Sequence, residues 1–479
     1  MRGPIGRIVS AILAAFLAFA ILAVGPGGAA YGSGADPIYV GPRVSSEADP
    51  EGAIYVSPDG NDATATGGIN APFRSVNAAL AAASPGDAIV LRGGTYREGV
   101  NVRVRIPGIS IRSAAGEWAV IDLTEYDPGA DEDSGVYFDV GSSGGSLLRV
   151  EVIGGFYAVC METKWDWGDP SDRSGASDIL IEDCALHGSR YDVVKVKPNC
   201  DRVTLRYNEI YDSGRAFDGN PPNGEDNAEG IDNVNGDFMT VEFNHIHDIR
   251  SNAIYAKGGA SDAVIRHNLI ERAYGGGILI GFDTSPEYFD LDANPEYYES
   301  VRCAVIENLI VDTGWEGIGL FGSLDAVAVG NTVVNACYGG RFHSAIYFGL
   351  TYQDWEDYAG RPANRNPTIR KNVVCQPGGY ALPMIEIRHS DELGGLDALA
   401  GMPNMGENGY FVEGAAARFE DRRPGFLLEG AGLSEWIAHT GEEGSVEEDP
   451  GLNDSYVATN PNFAGMGIPA PIVPYPRAR

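Results

Sequence analysis

The sequence predicts an all-β chain wound as a parallel β-solenoid, with a short helix capping its N-terminal end. The first observation is an alternating apolar segment that closes on Asn. It recurs as VTLRYNEI around Asn208, VEFNHI around Asn244, VIRHNLI around Asn268, VIENLI around Asn308, VAVGNTV around Asn331 and TIRKNVV around Asn372. The intervals of 36, 24, 40, 23 and 41 residues are a step of about two dozen, lengthened where an insertion intervenes. The second observation is a further short strand one turn away in each unit, such as EGIDNV (229–234), NAIYAK (252–257) and EGIGLF (316–321). Third, Gly 64 and Pro 28 make up about a fifth of the 479 residues. The usual share is roughly 12%, so the chain is rich in turns.

The elements follow in chain order. Arg2 and Arg7 precede the uncharged run from Ile8 to Val24, and Gly28, Ala29 and Ala30 follow. Basic end, apolar stretch and small-residue cleavage site are the order of a secretory signal, so residues 1–30 are expected to be removed and the protein to work outside the cytoplasm. A retained membrane anchor is the alternative, because about 20 apolar residues can span a bilayer. No stable membrane insertion is expected once the signal is cleaved. Residues 31–50 read as a linker, 51–460 as the solenoid and 461–479 as a loosely ordered Pro-rich tail. Within the solenoid, Ser75 to Ala83 has helix composition and stops at Pro85-Gly86, after which AIVLRGGTY (88–96) alternates as a strand. One short helix there would cover the open end of the solenoid.

From residue 183 onwards each coil has strands at fixed places and Asn at a corner. LIEDCAL around Asp183 extends the series towards the N-terminus. Asn tolerates left-handed backbone angles and can bond to the copy above it, which gives a stacked ladder a physical cause. Leucine-rich repeats would need a Leu-dominated pattern that the chain lacks.

Composition bounds the function. Lys plus Arg 34 against Asp plus Glu 67 give a net charge of −33, so no nucleic-acid partner is expected. The six cysteines are spread without a C-x-x-C pair, which fits core packing better than a zinc ribbon.

Aligning the second strands on Val194, Ile231, Ile254, Ile278, Ile318, Ile346 and Ile385 assigns the outward columns. One residue on come Lys195, Asp232, Tyr255, Leu279, Gly319, Tyr347 and Glu386. Three residues on come Lys197, Val234 and Lys257. Two of the chain's five lysines thus share a column, roughly 10 Å apart at the spacing of neighbouring rungs, with Asp232 on the rung between. In uronate β-elimination a base takes the C5 proton while a cation neutralises the carboxylate, and Lys can be that base. Lys257 is the first candidate, Lys197 the second, and Tyr255 the acid towards the leaving oxygen. Asp232 and Asn233 lie within reach of a bound sugar.

The insertion GNPPNGEDNAEGIDNVNGD (219–237) supplies Asp226, Glu229 and Asp232 as candidate Ca²⁺ ligands. His245-x-His247 places two imidazoles on one strand face but lacks an evident third ligand. The long insertions at 162–172, 282–300 and 351–360 are aromatic and acidic. If they leave one corner, Trp165, Trp167, Tyr288, Tyr297, Tyr352 and Trp355 would wall a saccharide groove.

The order PF-x-S-V-x-x-A-L, PGD, G-x-Y (Pro72 to Tyr96) resembles the N-terminal cap of right-handed parallel β-helix proteins of the pectate-lyase type, and the resemblance extends over roughly residues 51–455. It implies a right-handed coil and an extracellular polysaccharide, uronate-containing if the lysines act as above. The strand ends NAIYAKGG and VVKVKPN resemble that of the Lys base in the chondroitinase B and alginate lyase family. That family carries an Arg on the following rung, where this chain has Gly281 after Lys257 and Val234 after Lys197. The resemblance implies a polysaccharide lyase. A glycoside hydrolase, a uronate C5-epimerase and a non-catalytic carbohydrate-binding protein remain open on the same fold.

Overall fold

The computed structural model describes residues 36–43, 47–124, 135–165, 171–340, 343–351 and 361–476. The proposed signal segment lies outside these residues. Among the described residues no helix is long and apolar enough to cross a membrane.

Among the described residues three sheets of 12 strands each, parallel except for one antiparallel pair at the end of the third, wind around one apolar lumen. In each coil a strand of sheet I (such as Thr204–Arg206) turns a sharp corner into sheet II (Glu209–Tyr211), and the chain then crosses to sheet III (Ile231–Val234). The expected register holds: Val194 pairs with Ile231, Ile231 with Ile254, and the series runs on through Ile278, Ile318, Ile346 and Ile385. All seven side chains are fully buried. Stacking like upon like gives each rung about 1.5–3 kcal/mol per inward aliphatic, and a slip of one residue would turn that whole set outwards.

The corner between sheets I and II carries the Asn ladder. Asn208, Asn244, Asn268, Asn308, Asn331 and Asn372 are fully buried, and each Nδ2 donates to the Oδ1 of the next rung at 2.9–3.2 Å, through to Asn408. The left-handed residue is not the Asn but its predecessor: Tyr207, Phe243, His267 and Glu307 have φ of 56°, 56°, 53° and 51°. The Asn amide is therefore free to bond along the stack. At the lower end the corner residue is Cys184, whose N–H donates to Asn208 Oδ1 at 2.9 Å. Asp183 takes the left-handed place before it, one position from where the repeat put it.

The helix α1 (Val76–Ala82) forms where expected, its N-terminus capped by Ser75 Oγ accepting from the Ala78 N–H at 3.2 Å. Val76, Ala79 and Leu80 point into the lumen and close it. A second helix, α2 (Leu433–Thr440), caps the other end and was not expected. Its Trp436 stacks on Phe419 at 5.3 Å, and Glu442 just beyond it accepts from Asn408, Tyr410 and Trp436, which terminates the Asn ladder on a buried carboxylate. All six cysteines are buried free thiols, as core packing implies.

The segments read as linker and tail each carry a strand. Ile38–Val40 pairs in parallel with Ile472–Pro474, and the two lie across sheet II. Val40, Ile468 and Ile472 bury apolar surface against Leu269, Leu309 and Val311, so 461–476 is packed rather than loose.

Candidate active site

On the outer face of sheet III two columns run side by side. One is Lys195, Asp232, Tyr255, Leu279, Gly319 and Tyr347, as the register requires. The other comes from the turns before the strands: Asp192, Glu229, Asn252, Gly276 and Glu316. Side-chain bonds tie the columns together, with Asn252 Nδ2 donating to the Tyr255 hydroxyl and Lys195 Nζ donating to Asp192 at 3.2 Å.

At the lower end three carboxylates converge. Asp192, Glu229 and Asp232 are all buried and bring one oxygen each within 4.8 Å of the others. Lys195 donates to Asp232 as well as Asp192, and Lys257 Nζ stands 3.9 Å from Asp232. Burial and the Asp192 charge push the Glu229 carboxyl well above the usual carboxylate range. Burial acts the same way on Asp232, but Lys195 and Lys257 hold it below its ordinary value. Burial also opposes the Lys195 charge, yet Asp232 and Asp192 raise this ammonium well above the ordinary Lys value.

Two oxygens in this cluster, Glu229 Oε2 and Asp232 Oδ1, are buried without a hydrogen-bond partner. Buried orphan oxygens beside a third carboxylate form a donor set of the kind Ca²⁺ takes, which the Lys195 ammonium partly fills from one side. Asp226 was expected in this set and is not in it. The insertion folds towards sheet II, where Asp226 accepts from Arg250 at 2.6 Å, and Asp192 of the preceding coil takes the third place. Neither Asp192 nor Lys195 was singled out from the sequence, although Lys195 stands in the column that contains Asp232.

Lys257 lies at the end of its strand, its ammonium 4.4 Å from the Tyr255 ring centroid and 6.0 Å from that of Phe282. The turn that follows is fixed from beneath. Gly258 (φ +70°) donates to Glu299 Oε2 at 3.0 Å, and Glu299 is itself held by Thr284 and Arg361 inside the protein. Burial pushes the Glu299 carboxyl up to about 7 against the pull of Arg361. The Tyr255 hydroxyl, expected to face a leaving oxygen, is turned inwards to Asn252 with the residue only 3% exposed, so the ring is a floor for Lys257. Above it Tyr255, Leu279, Phe321 and Tyr347 form an apolar cluster with Phe282 at its edge.

The other expected residues are dispersed. Lys197 is paired with Glu162 at 2.7 Å, away from the carboxylate trio. Asn233 points into the lumen side of the strand and closes a turn on Gly236, because alternation that turns Asp232 outwards must turn Asn233 inwards. Trp165 is 3% exposed and donates to the Glu287 carbonyl, and Tyr297 packs on Phe289 and Arg361, so both pin the 282–300 insertion instead of presenting a face to a sugar. Tyr288 is half-buried in the same insertion. Trp167, Tyr352 and Trp355 lie outside the described residues.

The family model for a right-handed β-helix region matches residues 108–290 and 175–345, a span that includes the trio and Lys257. Pectate lyase PEL9 of Emericella nidulans is 38% identical over 175 residues, and the match covers 36% of this chain and 36% of that relative. Among solved structures, pectate lyase Pel9A is similar over 72% of this chain and 80% of its own, with 18% identity and a TM-score of 0.43. The A-module of mannuronan C-5 epimerase AlgE6 from Azotobacter vinelandii is similar over 78% and 94%, with 13% identity and a TM-score of 0.44. With parallel sheets, stacked corners and the matched region in agreement, the chain is a right-handed parallel β-helix protein.

Proposed function

We propose that this protein cleaves a uronate-containing polysaccharide by β-elimination outside the cytoplasm, with Lys257 as the base. The observation that carries the proposal is the convergence of Asp192, Glu229 and Asp232 beside Lys257 on one outer face of the solenoid, with two orphan oxygens in the trio. The similarity of part of the chain to pectate lyase PEL9 supports the same chemistry.

Asp192, Glu229 and Asp232 are the residues that would hold Ca²⁺. When bound, Ca²⁺ would neutralise the substrate carboxylate and offset the negative charge facing Lys257. The chain's own residues supply the rest. Tyr255 and Phe282 hold the Lys257 amine from below, and Glu299 fixes the turn that aims it. As base, the Lys257 amine takes the proton from C5, the electron pair forms the C4–C5 double bond, and the C4–O bond breaks with water protonating the departing oxygen.

The test is ultraviolet absorbance of unsaturated products from uronate polysaccharides, with Ca²⁺ or with chelator. Lys257→Ala is expected to lower the rate by about 10²–10⁴-fold, the usual effect of removing a general base. Glu229→Gln is expected to raise the Ca²⁺ concentration needed for half-maximal rate. Undiminished absorbance in Lys257→Ala would remove Lys257 as base, and saturated reducing ends in place of unsaturated ones would replace elimination by hydrolysis.

A further inference from the structure

The His245-x-His247 pair stands on sheet II, outside the groove just described. Both imidazoles project outwards from the strand His245–Ile249 while Ile246 between them is fully buried. The register places Glu209 beside His245 on one side and Glu271 beside His247 on the other. The side chains nevertheless bond along the diagonals: His247 Nε2 lies 3.3 Å from Glu209 Oε1, and His245 Nε2 lies 2.8 Å from Glu271 Oε2. The diagonals cross over the square, and ligand atoms of Glu209, His245 and His247 fall within 4.8 Å of one another, with Glu271 touching the group through His245.

The His247 imidazole is held as a ligand is. His247 Nδ1 faces Asp248 Oδ2 at 2.7 Å, and Asp248 is clamped by Arg272 at 2.7 and 2.9 Å. With an ion in place of the proton on Nε2, a carboxylate on Nδ1 is the arrangement that orients histidines on metals. Ring stacking fixes the plane: His187, Tyr211 and His247 lie face to face at 4.3 and 4.9 Å, each within 9° of parallel. The cluster has access to solvent, since His245, Glu209 and Tyr211 line a cavity of about 540 Å³ between sheet II and the paired terminal strands, with Trp118 and Tyr475 on its walls.

We infer that Glu209, His245 and His247, with Glu271 as fourth donor, form a binding site for a divalent transition-metal ion of the Zn²⁺ class, separate from the carboxylate groove. Two imidazole nitrogens and two carboxylate oxygens are borderline donors that suit Zn²⁺ or Co²⁺, whereas Ca²⁺ prefers oxygen alone. The ion would take the place of the protons that the two imidazole–carboxylate contacts otherwise share.

Tag-free, chelator-stripped protein is titrated with Co²⁺ at about 0.15 M ionic strength, where surface charge is screened, and the visible d–d absorption is followed, with Zn²⁺ competing. A single saturable equivalent is expected that Zn²⁺ displaces. His247→Ala and His245→Ala are each expected to abolish the absorption band with the far-ultraviolet circular dichroism unchanged. Asp248→Asn, which leaves every ligand in place, is expected to weaken binding by about 10–100-fold. Glu229→Gln in the groove is expected to leave it untouched. Absence of saturable binding to the folded wild-type protein, binding that survives both His substitutions, or binding lost in Glu229→Gln would each overturn the site.

Discussion

The residue that precedes each ladder Asn shows how one position can couple backbone geometry to pH. Tyr207, Phe243 and His267 share the left-handed conformation on successive rungs and stack their rings at 4.9 and 5.3 Å within 9° of parallel, with the Arg43 guanidinium 3.8 Å from the Tyr207 ring. Stacking offsets part of the cost of about 1 kcal/mol or more that a side chain meets in this conformation. Burial, reinforced by Arg266, holds the His267 imidazole down to about 4. Glu307 faces it at 3.6 Å, but burial raises that carboxyl above its ordinary value, so it too takes up a proton as the pH falls. In the unfolded chain His267 binds a proton near its ordinary value of about 6.5. Through His267 alone the unfolded state therefore binds more protons between about 6.5 and 4, and this residue's contribution to stability falls as pH drops through that window by at most about 3 kcal/mol, while the raised Glu307 carboxyl works against it. His267→Phe keeps the stack and removes the titration. The urea midpoint of this variant is expected to fall less than that of the wild type between those two pH values, and equal losses would assign the acid sensitivity elsewhere. At this scale Asp232 and Lys257 were legible because strand alternation fixes which way they point. Asp192 was not, because it sits in a turn where no period applies, and Trp165 could not be placed because an aromatic in an insertion reads the same whether it lines a groove or anchors a loop.

The element that unites the coils is the Asn ladder, and its energetics are those of buried amides with every valence used. Asn308 Oδ1 accepts from the N–H and the Nδ2 of Asn268 at 3.0 and 2.9 Å, while its Nδ2 donates to the Ile265 carbonyl and to Asn331 Oδ1 at 2.9 and 3.0 Å. Asn308→Ala leaves the Asn268 N–H and the Ile265 carbonyl buried without partners. At about 1–3 kcal/mol for each orphaned group, a loss of about 3–5 kcal/mol is expected by equilibrium urea unfolding. A change under about 1 kcal/mol would mean that water or a relaxed corner replaces the amide. The repeat made this element readable because the ladder demands one residue type at one position. It also concealed its upper end and put its lower one a residue early. Asn408 follows Met405-Gly406-Glu407, which lacks the aliphatic run of its fellows, and Cys184 holds the first corner without an amide. The helix α2 escaped notice because its eight residues bury only Leu433 and Trp436, too few contacts to display a helical period.

For the whole molecule, a solenoid is bound by contacts between neighbouring coils, so its ends tend to fray independently of its middle. The terminal strands oppose that tendency. Arg43 binds Glu182 and Asp183 of one coil, Gly41 donates to the Phe243 carbonyl, Ile468 donates to Thr332, and Gly467 donates to the Lys371 carbonyl. Glu47 reaches back to Arg112 and Arg149. The two ends of the chain thus touch coils from residue 112 to residue 371, and the pairing of Ile38–Val40 with Ile472–Pro474 joins them. A chain ending at residue 460 loses the burial of Ile468 and Ile472 and uncovers Val40, Leu269, Leu309 and Val311. Burial of the two isoleucines alone is worth about 3–6 kcal/mol. Because the strap spans many coils, its loss is expected to broaden the thermal transition as well as lower its midpoint, with the coils that hold Asp192, Glu229 and Lys257 still folded below it. Calorimetry of the shortened chain distinguishes the cases. A single transition, sharp and merely shifted, would mean that the lumen and the Asn ladder alone make the coils cooperative, and an unshifted one would deny the strap any part in stability.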